Sequence, residues 1–215
     1  MADPLTRTIR DDYDRLAQEY AQRIFDELRH KPLDRALLDR FAEAVKGCGD
    51  VCDMGCGPGQ VARYLHDKGL SVFGLDLSPA MLEQARKLNP EIRFLEGDML
   101  TLELPPASLA GIAAFYAIVN IPVRHHRAIF EQMAKVLKAD GLLLLAFHVG
   151  NEVIEPKELW GHKISMEFLL LQPDQVQSDL EAAGFAIEEI IEREPYPEVE
   201  YPSHRAYIFA RNSGR

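Results

Sequence analysis

The chain has 215 residues, of which 47% are hydrophobic and 27% are charged, which is typical of a folded domain rather than a disordered chain. Its 24 basic and 34 acidic residues give a net charge of −10. That balance argues against nucleic acid as a partner, because proteins that bind it usually present a basic face to the phosphates.

Two helices are predicted at the start of the chain, over 8–29 and 34–45, because apolar residues recur there at helical spacing. Gly47 and Gly49 are expected to end the second helix. We expect residues 1–46 to form a helical lid on the domain that follows.

Strand and helix patterns then alternate along the middle of the chain. Strands are predicted over 50–54, 71–76, 92–96, 109–116 and 142–149, and helices over 60–68, 78–88 and 124–138. Ser78 is suited to cap its helix, and Pro79 suits the first helical position. This alternation indicates βαβ units and a parallel sheet.

The C-terminal third has a different pattern. Apolar residues alternate from Ile164 to Leu170, which favours an extra strand over the edge of the sheet. A helix over 174–183 and strands over 186–193 and 206–210 are predicted to follow. Since no linker or repeat interrupts the chain, we expect a single domain over 1–215, with a substrate-side insertion at 150–171.

A glycine turn, formed by Gly55, Gly57 and Gly59, follows the first predicted strand. Such a turn lets the backbone approach a ligand closely, and the next helix offers unpaired N–H groups there. Dinucleotide-binding folds use a related turn. Here the glycine spacing is tighter, and Asp53 just before the turn suits a ligand with a cationic amino group.

Two further acids end the next two predicted strands. Asp76 is placed to accept hydrogen bonds from both hydroxyls of a ribose, and Asp98, after Gly97, from an exocyclic amine of adenine. Because neighbouring parallel strands end at the same edge, we expect these acids and Asp53 to line one crevice. Each acid also has a purely structural interpretation, as a cap of a turn or helix.

Three segments, 51–59 (VCDMGCGPG), 74–82 (GLDLSPAML) and 94–99 (FLEGDM), resemble the cofactor motifs of class I S-adenosylmethionine-dependent methyltransferases. The resemblance implies an α/β fold with a Rossmann-like, seven-stranded, mostly parallel sheet, its last strand antiparallel and helices on both faces. It further implies methyl transfer from S-adenosyl-L-methionine to an O, N or C nucleophile of a small molecule, which leaves S-adenosyl-L-homocysteine.

The same resemblance assigns roles around the cofactor. The glycine turn and Asp53 would hold the methionine moiety, Asp76 the ribose, and Asp98 the adenine edge. The full set of implied cofactor-binding residues is Tyr13, Tyr20, Asp53, Gly55, Gly57, Gly59, Asp76, Leu77, Met81, Gly97, Asp98, Met99 and Phe115. Tyr13 and Tyr20 share one helix face, a stripe that core packing also explains.

Two residues are candidates for catalysis. His148 ends the fifth predicted strand, and its reference pKa suits a general base, although a histidine bonded to backbone at a strand end is the alternative. Tyr116 offers an aromatic face to a cationic sulfur and is placed to orient a substrate. The family often has a histidine near position 120, where this chain has Asn120, so the acid–base assignment stays open. The predicted substrate residues are Asn120, Glu152, Trp160, His162 and Phe168.

The cysteines and the hydropathy of the chain bear on its compartment and partners. Cys48, Cys52 and Cys56 have no nearby histidine or fourth cysteine to complete a metal site, and an odd count suits a reducing compartment. Without an apolar leader or a stretch of about 20 apolar residues, we expect a cytoplasmic protein. We expect it to be a monomer or a homodimer. Alternatives are a non-catalytic cofactor-binding partner subunit, a tRNA or protein methyltransferase, and an NAD-dependent oxidoreductase.

Overall fold

The computed structural model describes residues 4–214, so residues 1–3 and 215 of the predicted domain lie outside the described residues. These residues form six helices: α1 Pro4–Ile24, α2 Pro32–Val45, α3 Gln60–Asp67, α4 Pro79–Leu88, α5 His126–Val136 and α6 Pro173–Ala182. The strands are β1 Asp50–Met54, β2 Val72–Asp76, β3 Arg93–Glu96, β4 Leu109–Phe115, β5 Leu137–Val149, β6 Val153–Ile154, β7 Glu158–Leu159, β8 His162–Lys163, β9 Phe168–Leu169, β10 Phe185–Arg193 and β11 His204–Asn212. Short 3-10 helices cover Glu27–His30, Met99–Thr101 and Val123–His125.

Seven strands form the main sheet in the order β10-β11-β5-β4-β1-β2-β3. The pairs among β5, β4, β1, β2 and β3 are parallel. The last strand, β11, lies between β10 and β5 and is antiparallel to both. The predicted fold class is therefore confirmed, and the carboxyl ends of five parallel strands meet at one edge.

Helices bury both faces of this sheet, which explains why its central strands are apolar throughout. On one face α5 and α6 pack against the sheet through residues such as Phe130 and Leu180. On the other, α2 and α3 pack through Phe41 and Leu65. β4 is buried from Leu109 to Ala114, since it lies at the centre of the sheet and under helices on both sides.

The predicted first helix, over 8–29, ends earlier than expected. α1 ends at Ile24, and a separate 3-10 turn leads to Lys31. Lys31 precedes Pro32 and has φ −119° and ψ 77°, because a residue before proline is disfavoured in the helical region. The helix therefore cannot run on into α2.

The predicted helix over 124–138 is also too long. α5 ends at Val136, and Leu137 already pairs with Leu109 of β4. Between this contact and the pairing of Gly111 with Leu142 the strand is irregular, with Asp140 at φ 59°. The predicted strand over 142–149 is thus the second part of β5.

The prediction of an extra strand from Ile164 to Leu170 is wrong. Only Phe168 and Leu169 are extended and paired there, with β6, while β7 and β8 form a separate small hairpin. The backbone N–H groups of Ser165 and Met166 bond to the carboxylate of Asp12 rather than to a strand. Ile164 and Met166 pack against Leu16 of α1, so their alternation reflects contact with a helix.

None of the helices between residues 4 and 214 has the length and apolar character needed to cross a lipid bilayer. Over the same described range, no group of three or more His, Cys, Asp or Glu side chains is arranged to hold a metal ion.

Candidate functional site

A cleft of about 800 Å³, measured with its open mouth, lies at the carboxyl edge of the sheet beneath α1. The glycine turn after β1 forms part of its floor, with Gly55 at φ 71° and Gly57 at φ 49°. A Cβ on Gly57 would project towards the ring of Tyr20, 3.8 Å away, and so into the cleft.

Gly59 does not line the cleft. It is the N-cap residue of α3, at φ 85°, and a Cβ there would come within 2.9 Å of the Phe94 ring. Its lack of a side chain therefore serves the close packing of α3 on the sheet. A Cβ on Gly55 would lie 2.6 Å from the Cβ of Ala117, so Gly57 is the glycine of this turn that leaves room for a ligand.

Asp53 lies beneath the glycine turn and is only 2% exposed. Its Oδ2 accepts a hydrogen bond of 2.8 Å from the backbone N–H of Ala62 in the first turn of α3. Burial raises the pKa of Asp53 to about 7, although the bond from Ala62 opposes that rise. The side chain does not line the cleft, and its contact matches the interpretation of a cap for the turn.

Asp76 ends β2 and does line the cleft. Its two oxygens accept bonds from the backbone N–H groups of Gly57, at 2.8 Å, and Ser78, at 2.9 Å. Burial raises the pKa of Asp76, although these bonds oppose the rise. Because each carboxylate oxygen has a second lone pair, Asp76 can fix the glycine turn and still accept from a ligand.

Asp98 follows β3 and lines the same cleft. Its Oδ1 accepts from the backbone N–H of Leu100, at 2.9 Å, and its Oδ2 from the hydroxyl of Thr6 in α1, at 3.3 Å. The side chain therefore caps a 3-10 helix while bordering the cleft. Near it, Leu77, Met81, Gly97 and Met99 also form the wall, as expected of an adenine site.

Tyr13 and Tyr20 of α1 cover the cleft, and their ring centres are 6.0 Å apart in an edge-to-face arrangement. The Tyr13 hydroxyl donates to Oδ1 of Asn120 at 2.7 Å, and Asn120 donates to the carbonyl of Glu167 at 2.6 Å. Burial raises the pKa of both tyrosines, so their hydroxyls stay protonated at neutral pH.

Two acids of α1 that the sequence did not single out hold this helix over the cleft. Asp12 is 1% exposed, and its Oδ2 accepts from the backbone N–H groups of Ser165, at 2.7 Å, and Met166, at 2.6 Å. Asp14 accepts from the Ser78 hydroxyl at 2.6 Å and from the Ala80 N–H at 3.1 Å, at the start of α4. In the sequence these acids belong to a polar helix face, and that pattern does not indicate contacts with residues so distant along the chain.

His148 lies behind Tyr116 rather than on the cleft wall. The two ring centres are 4.8 Å apart, and Nδ1 of His148 is 2.7 Å from the hydroxyl of Ser203. Burial, and then the charges of Arg205 and Lys31, lower the pKa of His148 to about 3. A group with so low a pKa is a weak base near neutral pH, so this environment does not favour the predicted catalytic role.

The structure brings most of the predicted residues together around one cleft. The predicted residues that line it are Tyr13, Tyr20, Gly55, Gly57, Asp76, Leu77, Met81, Gly97, Asp98, Met99, Phe115, Tyr116 and Asn120. Those that do not line it are Asp53, Gly59, His148, Glu152, Trp160, His162 and Phe168. The lining residues that the sequence did not indicate are Leu5, Thr6, Ile9, Leu75, Leu100, Ala117 and Ile121.

Of the predicted substrate residues in 150–171, Trp160 contacts two side chains of α1. Its ring is 5.7 Å from that of Tyr20 and 5.4 Å from the guanidinium of Arg23. Phe168 pairs with Ile154 and packs against the core. His162 lies in the hairpin of β7 and β8. This segment therefore packs over α1, and its side chains form an outer layer.

The sequence is similar to known methyltransferases. Residues 51–141 match the family model described as "Methyltransferase domain". A trans-aconitate 2-methyltransferase of Enterobacter sp. (strain 638) is 33% identical over 133 residues, which are 61% of this chain and 50% of that protein. The chain thus spans about half the length of the curated relatives it matches.

Solved structures share the fold over the whole length. The structure of DhpI in complex with SAH has a TM-score of 0.77 at 20% identity and covers 100% of both chains. Magnesium protoporphyrin IX methyltransferase from Synechocystis PCC 6803, with bound SAM, has a TM-score of 0.74 at 17% identity, over 99% of both chains.

Proposed function

We propose that this chain, which carries a class I S-adenosylmethionine-dependent methyltransferase domain, binds S-adenosylmethionine in the cleft and methylates a small molecule. The methyl group would go to an O, N or C nucleophile. One observation carries the proposal. Asp76 and Asp98, from neighbouring strand ends, line the same cleft as Gly55 and Gly57, and the Gly57 position is open towards it.

The lining residues fit the parts of this cofactor. The free lone pairs of Asp76 suit the two ribose hydroxyls, while Asp98 borders the pocket for adenine. The space over Gly57, which a Cβ would fill, suits the methionine chain. When bound, the cofactor supplies an electrophilic methyl group on a positively charged sulfur.

The contribution of the protein is to position the acceptor and to exclude water. Tyr20, Phe115 and Tyr116 line the cleft around the glycine turn, where their rings suit a cationic sulfur. α1 covers the site through the bonds of Asp12, Tyr13 and Asp14. We propose that residues 1–46 act as the lid and that 150–171 lies on the acceptor side of a single domain.

Replacement of Asp76 tests the cofactor site. Asp76→Ala should weaken S-adenosylhomocysteine binding by roughly 1–3 kcal/mol, because two hydroxyls lose a charged acceptor. Isothermal titration calorimetry measures this loss, and Asp11→Ala, an exposed acid of α1, is the matched control. Circular dichroism must show both variants folded, since Asp76 also holds the glycine turn. Equal affinities for the wild type and Asp76→Ala would refute the ribose role.

Activity of the purified protein alone separates an enzyme from a non-catalytic partner subunit. We expect a gain of one methyl mass in a small metabolite when the protein is incubated with labelled cofactor and a metabolite mixture. Binding of S-adenosylhomocysteine without any methylated product would favour the partner-subunit alternative. The net charge of −10 and the small-molecule reaction named for the Enterobacter relative support a metabolite over tRNA.

The proposal also includes a cytosolic setting, as a monomer or homodimer. All three cysteines are free, with Cys48 exposed, which suits a reducing compartment.

A further inference from the structure

The hairpin of β7 and β8 ends in a turn whose first residue is strained. Leu159 pairs with His162, so Trp160 and Gly161 form a two-residue turn, with φ 51° at Trp160 and φ 84° at Gly161. Two-residue turns of type I′ have positive φ at both positions and favour Asn or Gly at the first. A bulky residue rarely adopts that conformation, because its Cβ crowds the backbone. The turn therefore carries a side chain that its backbone conformation disfavours.

The Trp160 ring packs against α1. Its centre is 5.7 Å from that of the Tyr20 ring, in an edge-to-face arrangement, and 5.4 Å from the Arg23 guanidinium. Arg15 of the same helix donates to the backbone carbonyl of Lys163 at 3.3 Å, so a hydrogen bond also joins the hairpin to α1. Backbone strain persists where the surrounding contacts enforce it, and it is common at functional sites. The contacts with α1 are what this strained turn maintains.

Tyr20 connects the hairpin with the cleft. Its ring lines the cleft, and a Cβ on Gly57 would lie 3.8 Å from that ring. The Tyr13 hydroxyl is held by Asn120, whereas the Tyr20 hydroxyl has no hydrogen-bond partner among residues 4–214. The orientation of the Tyr20 ring therefore depends on its ring contacts, which are Tyr13 on one side and Trp160 on another.

The two ends of the cleft are separated along α1. The Thr6 hydroxyl donates to Asp98 at one end, while Tyr20 lies over Gly57 at the other. Thr6 and Tyr20 are 14 positions apart, which corresponds to about 21 Å along a helix. A change at Trp160 should therefore affect the Gly57 end of the cleft and leave the Asp98 end as it is.

We propose that Trp160 is a positioning residue for methyl transfer, which holds the Tyr20 ring over the methionine end of the cofactor. This inference rests on the proposed function, in which the methionine chain passes over Gly57. Trp160 does not itself line the cleft, so it acts through Tyr20. The hairpin thus fixes a wall of the site from outside the lid.

Calorimetry with two ligands tests this inference, because S-adenosylhomocysteine has the amino-acid chain that adenosine lacks. Trp160→Asn removes the ring and gives the turn the Asn-Gly pair that it favours, so the hairpin should fold. It should weaken S-adenosylhomocysteine binding about two- to tenfold, the range of one aromatic contact, and leave adenosine binding unchanged. Trp160→Phe, which keeps a ring beside Tyr20, should bind S-adenosylhomocysteine more tightly than Trp160→Asn. Lys163→Ala removes an exposed side chain of the same hairpin and is the control.

Fluorescence of the wild type provides a second measurement that needs no substitution. Trp160 is the single tryptophan of the chain, so the tryptophan emission reports on this contact. S-adenosylhomocysteine, with its amino-acid chain beneath Tyr20, should change the emission, whereas adenosine should not.

Three results would overturn the inference. The first is unchanged S-adenosylhomocysteine affinity in folded Trp160→Asn. The second is an equal loss of adenosine affinity, which would mean that Trp160 supports α1 as a whole. The third is a wild-type emission that responds equally to both ligands or to neither. Failure of S-adenosylhomocysteine to bind the wild type in calorimetry would instead refute the proposed function, so the two failures are distinct.

Discussion

Asp12 provides the sharpest test of how α1 is held over the cleft. Its carboxylate is 1% exposed and accepts two backbone bonds, from Ser165 and Met166, across 153 and 154 positions of sequence. In Asp12→Ala both N–H groups lose a charged acceptor. Met166 is itself 3% exposed, so water cannot easily replace the lost partner.

The size of the effect follows from these contacts. A buried donor left unpaired costs about 1–3 kcal/mol, and the less buried Ser165 bond adds about 1 kcal/mol. The ion pair of Asp12 with Arg15 adds little, because Arg15 is 50% exposed. We therefore expect a loss of about 2–4 kcal/mol in the local free energy of opening, which corresponds to about a 30- to 700-fold change in the opening equilibrium.

Hydrogen exchange at the Ser165 and Met166 amides measures this opening directly. Exchange at both amides should accelerate by about two orders of magnitude in Asp12→Ala, while amides in β4 stay protected. Asp11→Ala is the matched control, since Asp11 is an exposed neighbour on the same helix. Equal exchange rates in the two variants would refute the idea that Asp12 holds Ser165 and Met166 against α1.

Two further predictions concern the site itself. With its pKa lowered to about 3 by burial and by the charges of Arg205 and Lys31, His148 should show no titration of its ring resonances between pH 8 and 5. Since an unfolded histidine gains a proton below about pH 6.5, the stability that neutral His148 contributes should fall as the pH drops from there towards 3. His148→Gln should reduce that fall in urea titrations, and an inflection near pH 6.5 in the ring resonances would contradict the assignment. Gly57→Ala places a Cβ at φ 49°, which costs about 1–2 kcal/mol, and it should also abolish most of the melting-temperature rise produced by S-adenosylhomocysteine, because that Cβ enters the cleft. An undiminished rise would show that the ligand does not pass over Gly57.

Local signals made much of the fold predictable. β1 has the predicted bounds, because a short apolar run ends at glycines, and the Ser78 hydroxyl caps α4 by accepting from Met81 at 3.1 Å. The alternation of strands and helices indicated a parallel sheet through local periodicity. The antiparallel direction of the last strand came from the family resemblance rather than from the residues. Its placement between β10 and β5 was not predicted, because it depends on distant pairing.

The site was predictable where a residue's position on a strand end decides its role. Asp76 and Asp98 line one cleft because β2 and β3 are neighbours. His148 also ends a strand, but its environment depends on Arg205 and Lys31, which the sequence places far away. Residue type alone suggested a base with an ordinary pKa. The alternation at Ile164 and Met166 was likewise ambiguous, because contact with a helix can imitate strand periodicity.

A crystal structure of the protein with S-adenosylhomocysteine would show directly whether the cleft holds the cofactor. We expect ribose hydroxyls within hydrogen-bonding distance of Asp76, adenine beside Asp98 and Met99, and the homocysteine chain over Gly57 beneath Tyr20. Ligand density elsewhere on the protein, or an Asp76 carboxylate that makes no contact with the ribose, would contradict this expectation.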